Sequence, residues 1–416
     1  MRIRRPTTGY SAPTPRSFTG SETGQENAMT ALQDFDGYHR PNGLVGVRNH
    51  VLVLSVTGLT TAPARQIGAA VQGCHVVTMP YSTGLIGQDR EVHYRALVGL
   101  ACNPNNGAVL LISDHKPKAE TLAQAIKAEG QTVQILTLNE VEQDPVDLVA
   151  KGTRMAAQLA KDLSSQRRAP APVSALRVGL KCGRSDPSSG LIANPSTGAF
   201  IDQLIAQGGT AIFGEVVEWI GAEHLLAARA ASAEIADRLV TLPAGREASA
   251  MTTGLDLMGS NPSPTNIAAG LSSIEEKSLG GISKTGSTPI MGVLDYAETP
   301  QGSGLFAMDT PNYAPEHLTA LAAAGCQIAL FTTGAGNSFV SGLMPTIKIC
   351  GNKVSCQRLF QQFDVRLDDL IETAAPLPTG SRRIAEATLD VANGQMTWGE
   401  ILKQGDDVVS RFGAAL

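Results

Sequence analysis

The stretch LKCGRSDPSSGLIANPS, residues 180–196, places a cysteine among small polar residues directly after an apolar run. Three interpretations of Cys182 stay open, namely a metal ligand, a nucleophile or a buried thiol. Reactivity of a thiol requires an electropositive, accessible setting, which Lys181 and Arg184 would supply. Ser185 and Asp186 fit either a binding site or the cap of the following segment, since Ser and Asp are common caps after a strand.

A second group combines carboxylates with a histidine in the stretch IFGEVVEWIGAEHLL. If a helix begins near Ala222, Glu223 and His224 point about 100° apart and cannot both face one ligand. Glu215 lies at the end of an apolar run that predicts a strand. It is therefore the better candidate for a site carboxylate, either as a metal ligand or as a base.

Two glycine-rich stretches carry further candidates. NPSPTNIAAGLSSIEEKSLGGISKTGS contains Lys277 and Lys284, and LFTTGAGNSFVSG contains Thr333. The charged run EEK has the composition of an ordinary surface, but its flanks are poor in charge and rich in Gly and Ser, as in binding loops. Glycine lets backbone N–H groups approach a ligand closely. We predict that these stretches form one polar site.

Alternating strand and helix patterns must position these residues. Apolar runs such as HVLVLSV, GAVLLIS, LRVGL and QIALF predict buried strands, and segments such as KAETLAQAIKAEG and APEHLTALAAAG predict the helices between them. This alternation indicates an α/β protein with two Rossmann-like domains and mostly parallel sheets. In such sheets ligands bind beyond the carboxyl ends of the strands, where CGRSDPSSG would lie.

Composition shifts suggest the domain boundaries. Residues 1–28 are rich in Arg, Ser, Thr, Pro and Gly without apolar periodicity, which predicts a disordered extension. We expect an N-terminal α/β domain over 29–164, a linker over 165–174 in the aperiodic stretch SSQRRAPAPVSA, and a glycine-rich catalytic α/β domain over 175–416.

Charge and composition argue against several classes of protein. The 416 residues carry a net charge of −5 with scattered Lys and Arg, which argues against a nucleic-acid partner. No run approaches the roughly 18 apolar residues of a membrane span. Six cysteines without paired short spacings favour a reducing, cytoplasmic setting. The first strand is followed by a single glycine, so the dinucleotide fingerprint is missing, and there is no close His or Cys pair for structural zinc.

Several blocks of the sequence, in order, resemble those of the altronate and galactarate dehydratase family, which includes the large subunit of sulfolactate sulfo-lyase. The resemblance runs from about Tyr38 to ANGQMTWGE and rests on GYHRPNGLVGVRN, GLKCGRSDPSSGLIANPSTG, GGTAIFGEVVEWIGAEHLL, NPSPTNIAAGLSSIEEKSLGGISKTG, VLDYAE, MDTPNY and FTTGAGN.

The resemblance implies elimination from a small hydroxy acid: dehydration of an aldonate or aldarate to a 2-keto-3-deoxy acid, or loss of sulfite from sulfolactate. It also implies Fe²⁺ or another divalent metal acting as a Lewis acid. Leu59 and Met79, however, stand where the dehydratases have soft ligands, and Cys182 is the family cysteine that remains. The long dehydratases carry an additional small domain, so we expect a separate small subunit here, and we also expect a homo-oligomer.

The resemblance gives the candidates their expected roles. Glu215 or His224 would be the base, and Lys277 would be a second catalytic group that offers charge to the substrate carboxylate. Cys182 would act with Asp186 in catalysis and anchoring, and with Glu215 in metal binding. The expected substrate-binding residues are Arg48, Asn49, Ser185, Asn194, Lys284 and Thr333. The alternatives are a sulfite-eliminating large subunit and a non-catalytic partner or sensor that binds a sugar acid.

Overall fold

A computed structural model describes residues 31–81, 84–373 and 376–410. The predicted disordered extension, residues 1–28, lies outside the described residues. No helix in the described parts of the chain is long and apolar enough to cross a membrane.

The first part of the chain alternates strands and helices as predicted. Its elements are β1 (Phe35–His39), β2 (Val45–Gly46), β3 (His50–Ser55), α1 (Thr61–Ala70), β4 (Cys74–Thr78), α2 (Gly87–Cys102), β5 (Asn106–Ser113), α3 (Lys116–Ala128), β6 (Val133–Thr137) and α4 (Pro145–Leu163). Strands β4-β3-β5-β6 form a parallel sheet in that order. The sequence pattern does not predict α2, because its buried face mixes Asp89 and His93 with apolar side chains.

The second part forms a larger sheet. Its elements are β7 (Ala169–Ala171), β8 (Arg177–Cys182), α5 (Asn194–Ala206), β9 (Thr210–Phe213), α6 (Glu223–Ala227), α7 (Ala233–Thr252), α8 (Pro264–Ala268), α9 (Ile274–Ile282), β10 (Ile290–Leu294), β11 (Gly304–Met308), α10 (Ala314–Ala323), β12 (Ile328–Thr332), β13 (Thr346–Cys350), α11 (Lys353–Arg358), β14 (Val365–Arg366), α12 (Pro376–Ala392) and α13 (Trp398–Ile401).

Seven parallel strands make up this sheet, in the order β10-β11-β9-β8-β12-β13-β14. Both sheets are parallel and covered by helices, so the α/β fold class is confirmed. The chain passes from β8 to β9 on one side and later places β12 on the other side of β8. Ligands of open parallel sheets bind where the strand order reverses in this way. The carboxyl end of β8 is therefore the expected ligand site of this sheet.

The segment predicted as a linker, residues 165–174, contains a paired strand. β7 pairs antiparallel with β1, with Phe35 opposite Ala171, and β1 pairs with β2. The Arg168 guanidinium donates to the carbonyls of Asp36, Val47 and Ala392. The connection between the two larger sheets is therefore fixed by hydrogen bonds on both sides.

The two sheets share a core through α2 and α10. A Cβ added at Gly99 of α2 would lie 2.2 Å from the Ala323 carbonyl oxygen of α10, so glycine permits the close approach. The Asn103 amide donates to the carbonyls of Ala322 (2.7 Å) and Cys326 (2.9 Å). This packing holds the larger sheet, and the site at its edge, on a rigid support.

Candidate active site

Six side chains form a buried charged cluster at the carboxyl ends of β8 and β9. The members of this cluster are Lys181, Cys182, Glu215, Glu218, Lys277 and Lys284. Cys182 ends β8, and its thiol donates to Glu218 Oε2 at 2.8 Å. The Lys284 ammonium donates to Cys182 Sγ at 3.2 Å. The cluster therefore brings together the stretch that contains Cys182 and the glycine-rich stretch that contains Lys277 and Lys284.

Glu215 lies at the back of the charged cluster and is separated from the end of β9 by Gly214. Its φ is +71°, in the left-handed region that residues with a Cβ rarely adopt. The Thr310 hydroxyl accepts from Glu215 N at 2.9 Å and fixes this turn. The carboxylate accepts from the Lys181 ammonium and from Cys182 N (3.1 Å), and lies 3.3 Å from Lys284 Nζ. All of its charge is thus compensated inside the protein.

Glu218 and Lys277 form the second ion pair of the cluster. Glu218 follows Glu215 in a short 3₁₀ turn, and Lys277 Nζ donates to Glu218 Oε1 at 2.7 Å. Burial opposes ionisation of Glu218, but Lys277, Lys181, Lys284 and the Cys182 hydrogen bond outweigh it and lower its pKa to about 2. Burial likewise opposes protonation of Lys277, but Glu218 outweighs it and raises the pKa of that ammonium. At neutral pH a carboxylate therefore faces an ammonium.

A polar cavity of about 380 Å³ borders the charged cluster. Three members, Lys181, Glu218 and Lys277, line it, whereas Cys182, Glu215 and Lys284 lie behind them. The rest of the wall is mostly amide and hydroxyl side chains with one arginine and a few apolar groups, including Arg184, Ser260, Asn261, Ser263, Asn266, Asn312, Tyr313, Asn337 and Phe339. The cavity thus suits a small, polar, negatively charged molecule.

One wall of the cavity is held by a further buried lysine, Lys348, which is outside the charged cluster. Lys348 of β13 donates to the carbonyls of Asn337 (2.6 Å) and Phe339 (2.5 Å), both of which line the cavity. Its ammonium also lies 3.7 Å from the centre of the Phe331 ring. Burial lowers the pKa of Lys348 well below its usual value. Lys348 therefore fixes the loop after β12, which contains the predicted FTTGAGN stretch.

A neutral histidine supports the back of the cluster. His317 of α10 donates from Nε2 to the Leu180 carbonyl (2.9 Å), so its Nδ1 accepts from the Thr310 hydroxyl (2.7 Å). Burial lowers the pKa of His317 to about 4. The chain His317, Thr310, Glu215 therefore orients the left-handed turn. The sequence did not single out His317, because a histidine inside a helical pattern carries no signal of its own.

The structure places Arg48, Asn49 and His224 outside the charged cluster and outside the lining of the cavity. The Arg48 guanidinium is paired with the Glu400 carboxylate of α13 at 2.7 Å and donates to three backbone carbonyls, so it connects the segment after β2 to α12 and α13. Asn49 accepts from Arg40 and donates to the Leu163 carbonyl. His224 is exposed on α6 and does not line the cavity.

Four other predicted residues lie close to the cluster in sequence or space, but most of their polar atoms are engaged within the protein. Asp186 accepts from Ser188 Oγ (2.6 Å) and from the Asn352 amide (2.6 Å), and its bond from the backbone N–H of Ser189 (3.1 Å) is that of a cap. Asn194 accepts from Thr332 Oγ1 and donates to the Gly280 carbonyl. Thr333 Oγ1 accepts from Gly336 N. Among the described residues, Ser185 Oγ is buried without a hydrogen-bond partner.

The cluster also contains the atoms that would hold the expected metal. One ligand atom each from Cys182, Glu215 and Glu218 lies within 4.8 Å of the others. Both carboxylates, however, are already paired with lysines. Burial, together with Glu215 and Glu218, raises the pKa of the Cys182 thiol to about 12, so the sulfur is protonated. Repulsion between like charges is strong in a buried site. As arranged, these residues do not fit a divalent cation.

We therefore expect protein purified without oxygen or chelators to contain far less than one iron or other divalent metal ion per chain. Elemental mass spectrometry measures this metal content. The three lysines already supply the positive charge that a metal would bring. A Cys182→Ser variant is the control, and its metal content should equal that of the parent. A stoichiometric ion that is lost in this variant would contradict the assignment.

Comparison with known proteins identifies the family of this chain. The C-terminal domain model of D-galactarate/altronate dehydratase matches residues 173–415, and the second-domain model of D-galactarate dehydratase/altronate hydrolase matches residues 37–164. The chain is 36% identical to the (2R)-sulfolactate sulfo-lyase subunit beta of Chromohalobacter salexigens over 91% of this chain and 97% of that protein. It is 33% identical to the altronate dehydratase of Bacillus subtilis and 31% identical to that of Escherichia coli, over 87% and 90% of this chain and 74% and 77% of those proteins. The chain belongs to the D-galactarate/altronate dehydratase family and is a lyase.

Proposed function

We propose that this lyase removes water from a small sugar acid, an aldonate or aldarate, to give a 2-keto-3-deoxy acid. The observation that carries the proposal is the pairing of an ionised carboxylate, Glu218, with an ammonium, Lys277, 2.7 Å apart on the wall of one polar cavity. Elimination next to a carboxylate needs a proton acceptor, a proton donor and cations that stabilise the enolate-like charge. The cavity offers all three.

Glu218 is the proposed proton acceptor. It is the one carboxylate among the residues that line the cavity, whereas Glu215, the predicted base, lies behind it. Its low pKa keeps it ionised over the whole physiological range. In the first step the electron pair of the C–H bond next to the substrate carboxylate remains on that carbon, and the proton moves to Glu218.

Lys277 is the proposed proton donor, because its raised pKa keeps it protonated. As the bond to the neighbouring hydroxyl breaks, an N–H proton of Lys277 passes to the departing oxygen, so that water leaves and the amine remains. Lys181, the second ammonium on the cavity wall, would hold the substrate carboxylate and stabilise the charge that develops on it. The enol product then rearranges to the 2-keto acid.

The three groups behind the wall are proposed to position the front groups. The Cys182 thiol donates to Glu218 Oε2, which leaves the other oxygen of that carboxylate with Lys277. Glu215 compensates the charges of Lys181 and Lys284. A protonated thiol suits a hydrogen-bond donor better than a nucleophile, since the thiolate is the nucleophilic form.

A second candidate reaction is the elimination of sulfite from a sulfonated hydroxy acid. It is favoured by the relation to the (2R)-sulfolactate sulfo-lyase subunit beta, which is matched over 97% of its length. That relative is named as a subunit, and on this ground we propose that the present chain also works with a separate small subunit.

The test is turnover by protein purified from its native host, so that a bound subunit is retained. The panel comprises altronate, galactonate, galactarate and (2R)-sulfolactate, with 2-keto acid and sulfite measured in parallel. We expect a 2-keto-3-deoxy product from a sugar acid. Sulfite release alone would instead establish the second candidate, and binding without turnover of any acid would establish the non-catalytic alternative.

A further inference from the structure

Arg184 has a backbone conformation that its residue type disfavours. Its φ is +52°, in the left-handed region where a Cβ is strained and glycine is the usual residue. Residues in such conformations cluster at ligand sites, where the surrounding structure holds them. Here the Arg184 carbonyl accepts from Gly334 N (3.2 Å) and Ala335 N (3.0 Å) of the loop after β12. The strained residue is thus fixed by the loop that forms the neighbouring wall.

The side chain of Arg184 is exposed and lines the same cavity as Lys181, Glu218 and Lys277. Within residues 31–81, 84–373 and 376–410, no hydrogen bond or ion pair is recorded for its guanidinium. The hydrogen bonds that Glu218 accepts come from Cys182 and Lys277, not from Arg184. A guanidinium is always charged and presents a planar fork that matches an acidic group.

The side chains around the cavity carry more positive than negative charge. The charged cluster and Arg184 together contain four cations: Lys181, Arg184 and Lys277 line the cavity, and Lys284 lies behind them, paired with Glu215. Two carboxylates, Glu215 and Glu218, oppose them, and the Cys182 thiol donates a hydrogen bond to Glu218. The excess is two positive charges. One substrate carboxylate compensates only one of them.

We propose that Arg184 binds a second acidic group of the substrate, so that the preferred substrate is a dianion. The second group is a carboxylate, as in an aldarate, or a sulfonate, as in a sulfonated hydroxy acid. One carboxylate lies at Lys181, next to Glu218 and Lys277 where the reaction occurs, and the other acidic group lies at the Arg184 guanidinium. This inference rests on the proposed function and makes Arg184 a residue that determines specificity.

The experiment compares matched acids that differ in one charge. Parent, Arg184→Met and Arg184→Gly are assayed with galactarate, galactonate and (2R)-sulfolactate, and Arg358→Met, at an exposed arginine of α11, is the control. For the dianion, Arg184→Met should lower kcat/KM about 10- to 100-fold, mainly through KM, as expected for loss of a hydrogen bond between charged groups. For galactonate the change should stay within about 3-fold. The comparison of galactarate with (2R)-sulfolactate shows whether the second acidic group at Arg184 is a carboxylate or a sulfonate.

Arg184→Gly separates recognition from folding. Glycine relieves the left-handed strain, so its melting temperature should equal or exceed that of the parent while the preference for the dianion is lost. Equal losses on galactarate and galactonate, or no loss on any dianion, would overturn the proposal. If the parent turns over none of the acids, the proposed function fails. Calorimetric binding of galactarate against galactonate then tests Arg184 separately, with the same expected loss.

Discussion

Glu218→Gln is expected to lower kcat for elimination by about 10²- to 10⁴-fold, the usual contribution of a positioned acid or base. Glutamine keeps the size of the side chain and can still accept one of the two hydrogen bonds that Glu218 accepts, but it does not accept a proton from carbon. KM should change far less, because Lys181 and Arg184 still offer positive charge to the substrate. The measurement is steady-state kinetics on the acid that the parent consumes.

The control for this variant is Glu247→Gln, at an exposed carboxylate on α7. It removes the same charge away from the cavity and should keep the parent rate. A folded Glu218→Gln enzyme that retains the parent kcat would assign the proton acceptor to another group.

Lys277→Met is expected to have the largest effect on stability. It leaves Glu218 ionised and buried without its main counter-charge, and breaking a buried ion pair in this way costs about 3 to 5 kcal/mol in the free energy of unfolding. It also removes the main influence that lowers the pKa of Glu218. The pKa of Glu218 should therefore rise, and the acid limb of the kcat profile should move to higher pH. Denaturant unfolding and a pH profile measure the two effects.

Two controls accompany Lys277→Met. Lys353→Met removes an exposed lysine that pairs with Glu372 at the surface, and it should change the free energy of unfolding by less than about 1 kcal/mol. The double variant Glu218→Gln/Lys277→Met leaves no buried charge at this pair, so it should be more stable than Lys277→Met alone. An unshifted pH profile in Lys277→Met would contradict the proposed coupling.

The sequence predicts the sheet and the location of the site because both follow from local patterns. Apolar runs that end in polar loops identify β8, β9 and β12, and parallel strands bring those ends to one edge. Cys182 and Glu215 are predicted on this ground, and Lys277 and Lys284 are predicted from the glycine-rich stretch that contains them. The structure brings all four together in one cluster. Their roles in the reaction stay predictions.

What the sequence does not reveal depends on long-range packing. Arg48 pairs with Glu400, which lies 352 positions away, and no local pattern identifies this contact. Glu218 lies on the cavity wall because the left-handed turn at Glu215 leads the chain into a 3₁₀ turn. The strained backbone of Arg184 is visible only in the structure, from its φ. Met79 is buried and Leu59 is exposed. Neither belongs to the charged cluster.

The central claim, that Glu218 accepts the proton next to the substrate carboxylate, is tested most directly by proton NMR in deuterated water on the acid that the parent consumes. Parent and Glu247→Gln should show loss of that C–H signal together with appearance of the keto product. Glu218→Gln should leave the C–H signal intact over the same time. Loss of the signal at the parent rate in folded Glu218→Gln would contradict the account.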